Sequence, residues 1–403
     1  MAERFPGGVI SKTPPTVTGP TGGEGGSASG MWTLDTVLEY EKAGAWPKPL
    51  LPRSLYAWGG NGNGQLGLND TDNRSSPVQV GSSSTWSSVS GGTNFTIATE
   101  TNGTLWSWGL NSSGQLGQSD IIAKSSPVQV GALTNWSQVS AGSSHTAAIK
   151  TDGTVWAWGG NSSGNLGDGT VISRSSPIQI GALTNWAQVR AGGSFTAAVK
   201  TDGTLWTWGN NAAGQLGIGS LIRRSSPVQV GALTNWSRVS PSINNFCLAR
   251  KTDGTLWAWG ENINGKLGDG TVIYRSSPVQ IGALTNWSGI AAGSSSSVSV
   301  KADGTFWSWG GNAFGQLGQN NVIYRSSPVQ VGALTNWAQV SFSGSIVASI
   351  KTDGTLWAWG YNGRGTVGDN TVINRSSPVQ VGALANWNSV SAGSYHIEAI
   401  TKG

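Results

Sequence analysis

Few residues in this chain have the type and spacing that chemistry requires. His145 and His396 could act as ligands or general bases, Cys247 as a nucleophile, and Asp168, Asp269 and Asp369 as cation ligands. Both histidines, however, occupy one recurring position, whose counterparts are Phe95, Phe195, Ser296 and Ile346. A place that accepts phenylalanine, serine and isoleucine is a packing position, and no second motif supplies the convergent polar partners of a real site. Cys247 falls in the same strand and reads as a small buried hydrophobe. The aspartates follow the motif typified by Leu166-Gly167 in three copies, without calcium-loop spacing around them. Gly164-Asn165-Leu166-Gly167 and its copies are glycine-rich, but no Lys-Ser or Lys-Thr follows to hold a phosphate. No paired carboxylates stand out from the repeat, which disfavours carbohydrate chemistry. The sequence therefore predicts a non-enzyme with no catalytic residue, no metal site and no cofactor.

The elements that carry these residues recur. The stretch Lys150-Thr151-Asp152-Gly153-Thr154-Val155-Trp156-Ala157-Trp158-Gly159 returns, slightly varied, with its second tryptophan at Trp58, Trp108, Trp158, Trp208, Trp259, Trp309 and Trp359. The intervals are 50 residues except for one of 51, between Trp208 and Trp259. Of 403 residues 61 are Gly and 11% are charged, which is strand and turn chemistry rather than helix chemistry. The net charge of +5 comes from Lys and Arg at repeated positions, so no nucleic-acid stripe or membrane patch is announced. One cysteine excludes an internal disulfide framework, and no apolar segment follows Met1-Ala2-Glu3-Arg4, so production and folding in a cytoplasm are expected.

Each repeat offers four strands, for example Trp136 to Val139, His145 to Lys150, Thr154 to Trp158 and Pro177 to Ile180. Asp152-Gly153 between two apolar runs signals a hairpin, because both residues accept the backbone of tight reversals. The period of two in Leu105-Trp106-Ser107-Trp108 sends both tryptophans to one face and small residues to the other, so blades can stack large against small. After Trp387 the pattern runs to Gly403 and stops where a hairpin turn belongs, while its missing strand has a near copy at Ser54-Leu55-Tyr56-Ala57-Trp58-Gly59. The expectation is a ring closed by pairing Leu55 to Trp58 with Tyr395 to Ile400, which leaves no open sheet edge.

Before the repeats, residues 1–30 read as a Gly/Pro-rich tether and residues 31–52 as a short helix and anchor segment. Thr33 is placed to cap the helix, Asp35 to sit in its first turn and Gly44 to stop it. Ten residues make a marginal helix in water. Trp32, Leu34, Val37, Leu38 and Trp46 therefore need a surface, and docking on the same protein or on another one are equal alternatives.

The run His145 to Gly159, followed by Asn161, Gly164, Asn165, Leu166 and Gly167, resembles the repeat of the regulator of chromosome condensation family. The resemblance covers residues 53–403 and implies an all-β, seven-bladed propeller of four-stranded blades whose common denominator is protein binding. A second segment, Gly8-Val9-Ile10-Ser11-Lys12-Thr13-Pro14-Pro15-Thr16-Val17-Thr18 and then Gly30-Met31-Trp32-Thr33-Leu34-Asp35 to Ala43-Gly44-Ala45-Trp46-Pro47, resembles structural proteins of tailed phages of marine bacteria and cyanobacteria. It implies a virion component assembled in the host cytoplasm, joined to other virion proteins through residues 1–52. The propeller would then meet a host-surface receptor or glycan, with no nucleic acid and no membrane insertion. A free bacterial binding propeller, inhibitor-like or adhesin-like, is the alternative.

Two sets of positions bear on partners. Arg74, Lys124, Arg174, Arg224, Arg275, Arg325 and Arg375 precede Ser-Ser-Pro in every copy, and are expected to bind carbonyls or a carboxylate between blades rather than an anion. The residue before that cation varies and brings Arg223, Tyr274 and Tyr324, and the loop after Trp-Gly brings Phe314, Tyr361 and Arg364. On otherwise small, polar loops these are the residue types of binding hot spots, so the six are the expected partner-binding residues. Drift between copies is the competing reading.

Overall fold

The computed structural model describes residues 53–403. Residues 1–52, with the expected tether, capped helix and anchor residues Trp32, Leu34, Val37, Leu38 and Trp46, lie outside the described residues. The rest forms seven four-stranded antiparallel sheets, six made from one continuous repeat length and one from strands at the two ends of the described chain. We number these blades by their Trp-Gly pair, from Trp58 to Trp359. Blade 3 runs Trp136–Ala141, His145–Lys150, Val155–Gly159 and Arg174–Gln179, from the innermost strand outward. Among the described residues helix is confined to one 3-10 turn, Ile263–Gly265.

Local chemistry sets each reversal. Asp152 Oδ1 accepts from the Thr154 amide at 2.9 Å and its hydroxyl at 2.6 Å. Gly153 has φ +77°, and a Cβ there would lie 2.1 Å from the Thr184 carbonyl oxygen, so no side chain fits. The fourth strand begins at Arg174, earlier than Pro177, and ends at Gln179. The sequence misplaces it because this outer edge strand is half-exposed and its pairing breaks between Arg174↔Gly159 and Ile178↔Ala157, so no alternation marks it. An edge strand also tolerates Pro177, whose missing N–H has no ladder bond to lose.

The core lies between blades. Trp186 and Trp208 of blade 4 pack against Ala147, Val155, Ala157, Leu166 and Ile180 of blade 3, with half-buried Trp206 against the same cluster. Large therefore seats on small, as the period-two pattern predicts. The wall of each tryptophan slot is a glycine: a Cβ on Gly167, at φ +86°, would meet Trp208 Nε1 at 2.7 Å. Lys150 is 6% exposed and lies across two rings of its own blade, 3.5 Å from the Trp156 centroid and 4.8 Å from that of Trp136.

The ring closes as expected. Leu55–Gly59 pairs with His396–Thr401 in the register Leu55↔Ile400 to Gly59↔His396, so Tyr395 falls in the turn rather than in the strand. Trp58 Nε1 donates to the Thr366 carbonyl of blade 7 at 3.0 Å, and the Ser54 amide to Thr401 Oγ1 at 3.0 Å.

The expected packing role of the histidines holds. His145 is fully buried with Nε2 2.9 Å from Thr196 Oγ1, and burial pushes its pKa down to about 4, so it is neutral in the fold. His396 is equally buried, but it has a partner the sequence reading missed: Glu398 Oε1 lies 2.7 Å from Nε2, and Thr96 Oγ1 donates to the same oxygen at 2.7 Å. Glu398 stands where other blades carry Ala147 or Ala197, which is why no motif announces it. None of these groups is exposed to a substrate. Cys247 is buried too, and burial raises its pKa well above the ordinary thiol range.

Replacing Trp208 with Ala is expected to cost about 3–5 kcal/mol in urea unfolding, because the slot cannot collapse between two rigid sheets. His145→Phe tests linkage. The unfolded state takes a proton from about pH 6.5 downward while the folded state refuses it until about pH 4, so stability falls as pH falls through that window. The variant should lose roughly 2–3 kcal/mol less than wild type between pH 7 and pH 4.5, measured by urea unfolding at both values.

Candidate functional site

Strand direction divides the blade ends into two faces. Innermost strands run toward the face that holds the hairpins at 142–144 and the long loops at 160–173. Second strands return to the face with Asp152-Gly153 and its copies. Every expected partner-binding residue belongs to loops of the first face.

Each long loop is held by one asparagine. Asn161 Oδ1 accepts from the Leu166 amide at 2.9 Å and its Nδ2 donates to the Ile172 carbonyl at 3.1 Å. Binding the loop by its backbone turns its side chains outward. These loops are not small and polar as the sequence reading holds. From Ile121-Ile122 in blade 2 to Val372-Ile373 in blade 7, each carries two adjacent aliphatic residues between 48% and 65% exposed, while blade 1 has Thr71-Asp72 there. The signal was available as an aliphatic pair repeated inside a turn-rich segment. Exposed aliphatic residues grouped in pairs on one face are the kind of surface that interaction faces use.

The six expected residues divide into two groups. Phe314 and Tyr361 meet edge to face with centroids 5.2 Å apart, and Arg364 stacks its guanidinium 4.4 Å from the Tyr395 ring centroid. Phe314, Tyr361, Tyr395 and Ile243 line one depression of about 590 Å³, floored by Ser and Thr of the innermost hairpins. Tyr274 and Tyr324, each 47% exposed, and Arg223 stand on the long loops and make no ring contact with this group among the described residues. Burial and then the Glu261 carboxylate raise the Tyr274 pKa. Sequence reasoning missed Tyr395 and Ile243. Tyr395 was legible, since its counterparts are Asn94, Ser144, Ser194, Asn245, Ser295 and Ser345, and Ile243 comes with the one-residue insertion between Trp208 and Trp259.

The repeated cations pair within a blade, not between blades as expected. Arg174 reaches Asp168 at 3.0 Å, Arg275 reaches Asp269 at 2.8 Å, and Arg375 reaches Asp369 at 2.6 Å. Arg74 and Lys124 use Asp70 and Asp120, four residues back, for the same purpose. Burial pushes the Asp168 carboxyl up, but bonds from Thr170, Arg174 and Asn161 outweigh it and hold the group below its ordinary pKa. The within-blade geometry arises because the long loop folds back on its own outer strand. With carboxylates 6–9% exposed and guanidiniums about a third exposed, the Asp168, Asp269 and Asp369 pairs tie each loop to its own outer strand. Arg224 and Arg325 have no carboxylate partner among the described residues; Arg325 donates instead to Gln319 at 3.3 Å. No cluster of three or more His, Cys, Asp or Glu among the described residues is placed to hold a metal, and no helix there is long and apolar enough to cross a membrane.

Similarity to known proteins agrees with this geometry. The model of the regulator of chromosome condensation (RCC1) repeat matches seven times, at residues 54–99, 102–149, 152–199, 202–241, 253–300, 303–350 and 353–400. Among curated proteins, none matches this sequence. The crystal structure of human WBSCR16 is similar at 21% identity and a TM-score of 0.78, covering 87% of this chain and 99% of that one. The structure of Kap60 bound to yeast RCC1 (Prp20) follows at 19% identity and 0.76, covering 87% and 89%. Prp20p from Saccharomyces cerevisiae, described with its binding properties to Gsp1p and histones, follows at 19% and 0.75, covering 87% and 92%. At these identities the likeness establishes the fold. Seven matched repeats and a closed ring of seven four-stranded blades make this chain a member of the regulator of chromosome condensation repeat family.

Proposed function

We propose that this chain is a non-enzymatic binding propeller that engages a protein through its long-loop face, and that it does so as a structural component of a phage virion, in the tail, beside a fibre or on the capsid surface. The observation that carries the binding reading is the concentration of exposed aliphatic pairs and the Phe314, Tyr361, Tyr395 and Arg364 group on one face. Aromatic and arginine anchors at the centre of a partly apolar patch are what protein interfaces use. Proteins of the same fold support it, since Prp20p is described as binding Gsp1p and histones, and yeast RCC1 is described as bound by Kap60.

The virion part rests on the resemblance of Gly8 to Thr18 and Gly30 to Pro47, which assigns residues 1–52 to attachment and other virion proteins to that segment as partners. The propeller then meets a host-surface receptor or glycan. A free bacterial propeller, inhibitor-like or adhesin-like, is the second reading, favoured by a binding face built wholly from residues beyond position 53.

Mass spectrometry of purified particles separates the two readings: stoichiometric presence is expected, and absence from particles overturns the virion role. Deleting residues 1–52 should leave a folded propeller that no longer joins particles. Incorporation of the truncated chain at the normal level would exclude an anchor. On the binding face, Phe314→Ala or Tyr361→Ala should weaken the partner by about 2 kcal/mol, roughly thirtyfold, with thermal unfolding unchanged. Losses from substitutions on the opposite face instead would show that the wrong surface had been chosen.

A further inference from the structure

The innermost strands of all seven blades surround a central cavity of about 410 Å³. Its wall is serine, glutamine and apolar residues ranging in size from Ala191 to Phe342, with two charged side chains, Arg190 of blade 4 and Arg238 of blade 5, and no carboxylate among the described residues. These arginines stand at positions that have a structural task elsewhere. An innermost strand is a sheet edge, and side chains of the preceding blade cap its inward amides. Ser140 Oγ accepts from the Ala191 amide at 3.0 Å, and Ser90, Ser240, Ser341 and Ser391 do the same at their own boundaries. One level deeper, Gln138 accepts from Val189 at 2.7 Å and Gln188 from Val239 at 2.8 Å.

Arg190 sits at the serine level and Arg238 at the glutamine level, and a guanidinium has donors alone. At the first of these the scaffold asks for no acceptor, because the next blade presents Pro241, which has no N–H. At the second, Arg238 cannot accept from Ile290 as Gln188 accepts from Val239. Neither arginine therefore serves the ring. Arg190 makes one long bond, Nη1 to the Val189 carbonyl at 3.4 Å, and Arg238 has no hydrogen bond or ion pair among the described residues. Arg250 behind them is occupied by Ser237 at 3.2 Å and the Ser288 carbonyl at 3.0 Å. Burial, then the Arg238 charge, lower the Arg190 pKa to about 10, so Arg190 stays charged at neutral pH, and burial, then the Arg250 charge, lower that of Arg238.

We propose that Arg190 and Arg238 form a binding site for a small oxyanion of the phosphate or sulfate type inside the central channel. Two guanidiniums from adjacent innermost strands line the same channel, each with planar N–H donors from which such an anion accepts hydrogen bonds, and its charge removes their mutual repulsion. The way in is the aromatic depression, since Ile243 lines both that depression and the channel. This site is independent of the virion reading and of the partner on the outer loops.

The test is calorimetric titration of inorganic phosphate into the full chain at constant ionic strength, with sulfate as competitor to tell which oxyanion is preferred. Arg190→Ser and Arg238→Gln restore the residues of other blades, so both variants should fold; each is expected to weaken phosphate at least tenfold. Arg190→Lys keeps the charge without the fork and should weaken it severalfold. Arg224→Gln, which removes an exposed cation of an outer strand, should bind as wild type does. Absence of saturable binding, equal binding in the Arg190 and Arg238 variants, or an equal loss in Arg224→Gln would each overturn the proposal. Phosphate also stabilises proteins by exclusion, so a thermal shift shared in full by the double variant counts against it.

Discussion

Everything in this ring depends on how one blade's tryptophans sit on the next blade's small face. A four-stranded sheet with two exposed faces has nowhere to bury apolar surface alone, and here the repeat solves that with an asymmetric blade. Trp208 enters a slot walled by Gly167, Leu166 and Ile180 of its neighbour. The glycine is there because the indole is, and the left-handed backbone at Gly167 lets the long loop turn over the ring. One contact thus fixes blade spacing, the loop's point of departure and the choice of residue at two positions.

Once blades are seated, the loops between third and fourth strands are tied to the next blade through their backbone. Gly169 N–H donates to the Ser225 carbonyl at 2.8 Å, and the Gln115 carbonyl accepts from Trp158 Nε1 at 2.9 Å. Asn161 and its copies bind them by backbone carbonyl and amide, and the Asp168–Arg174 type of pair ties each loop to its own outer strand. The side chains left over are aliphatic and point to water. That arrangement is costly for a soluble surface, and its recurrence in six of seven blades gives this face a pair of exposed aliphatic residues per loop, against one exposed leucine, Leu133 to Leu384, in each of six interblade loops of the opposite face.

Departures from the repeat carry the individuality of the chain. The inward amides of the innermost strands require acceptors from the preceding blade, so an arginine at either accepting level is a break that packing does not explain. Arg190 opposite Pro241 is a matched break, in which donor and acceptor are lost together. Glu398 beside His396 is another, a carboxylate in a small-residue position whose Oε1 accepts from Thr96 of the adjoining blade. Near-identical neighbours make such departures visible, because each blade serves as the control for the next.

Much of this was written in the chain itself. The fifty-residue interval, the Asp152-Gly153 hairpins, the two-residue spacing of Trp156 and Trp158 and the strand at Leu55 to Gly59 all follow from short-range rules, so blade, stacking order and closure were legible. The roles of His145 and Cys247 followed from comparing copies. What the sequence could not decide was which side chains meet across a blade boundary or around the axis. Arg174 was expected to reach carbonyls or a carboxylate between blades, and only the loop's fold-back sets it beside Asp168 of its own blade. Tyr395 and Arg364, 31 residues apart, stack across the boundary between blades 7 and 1, and Arg190 and Arg238 share a channel because seven strands converge on one axis. Periodicity reports the period-two faces of a strand, but convergence at the centre of a ring is a property of the closed assembly, and tertiary structure alone decides it.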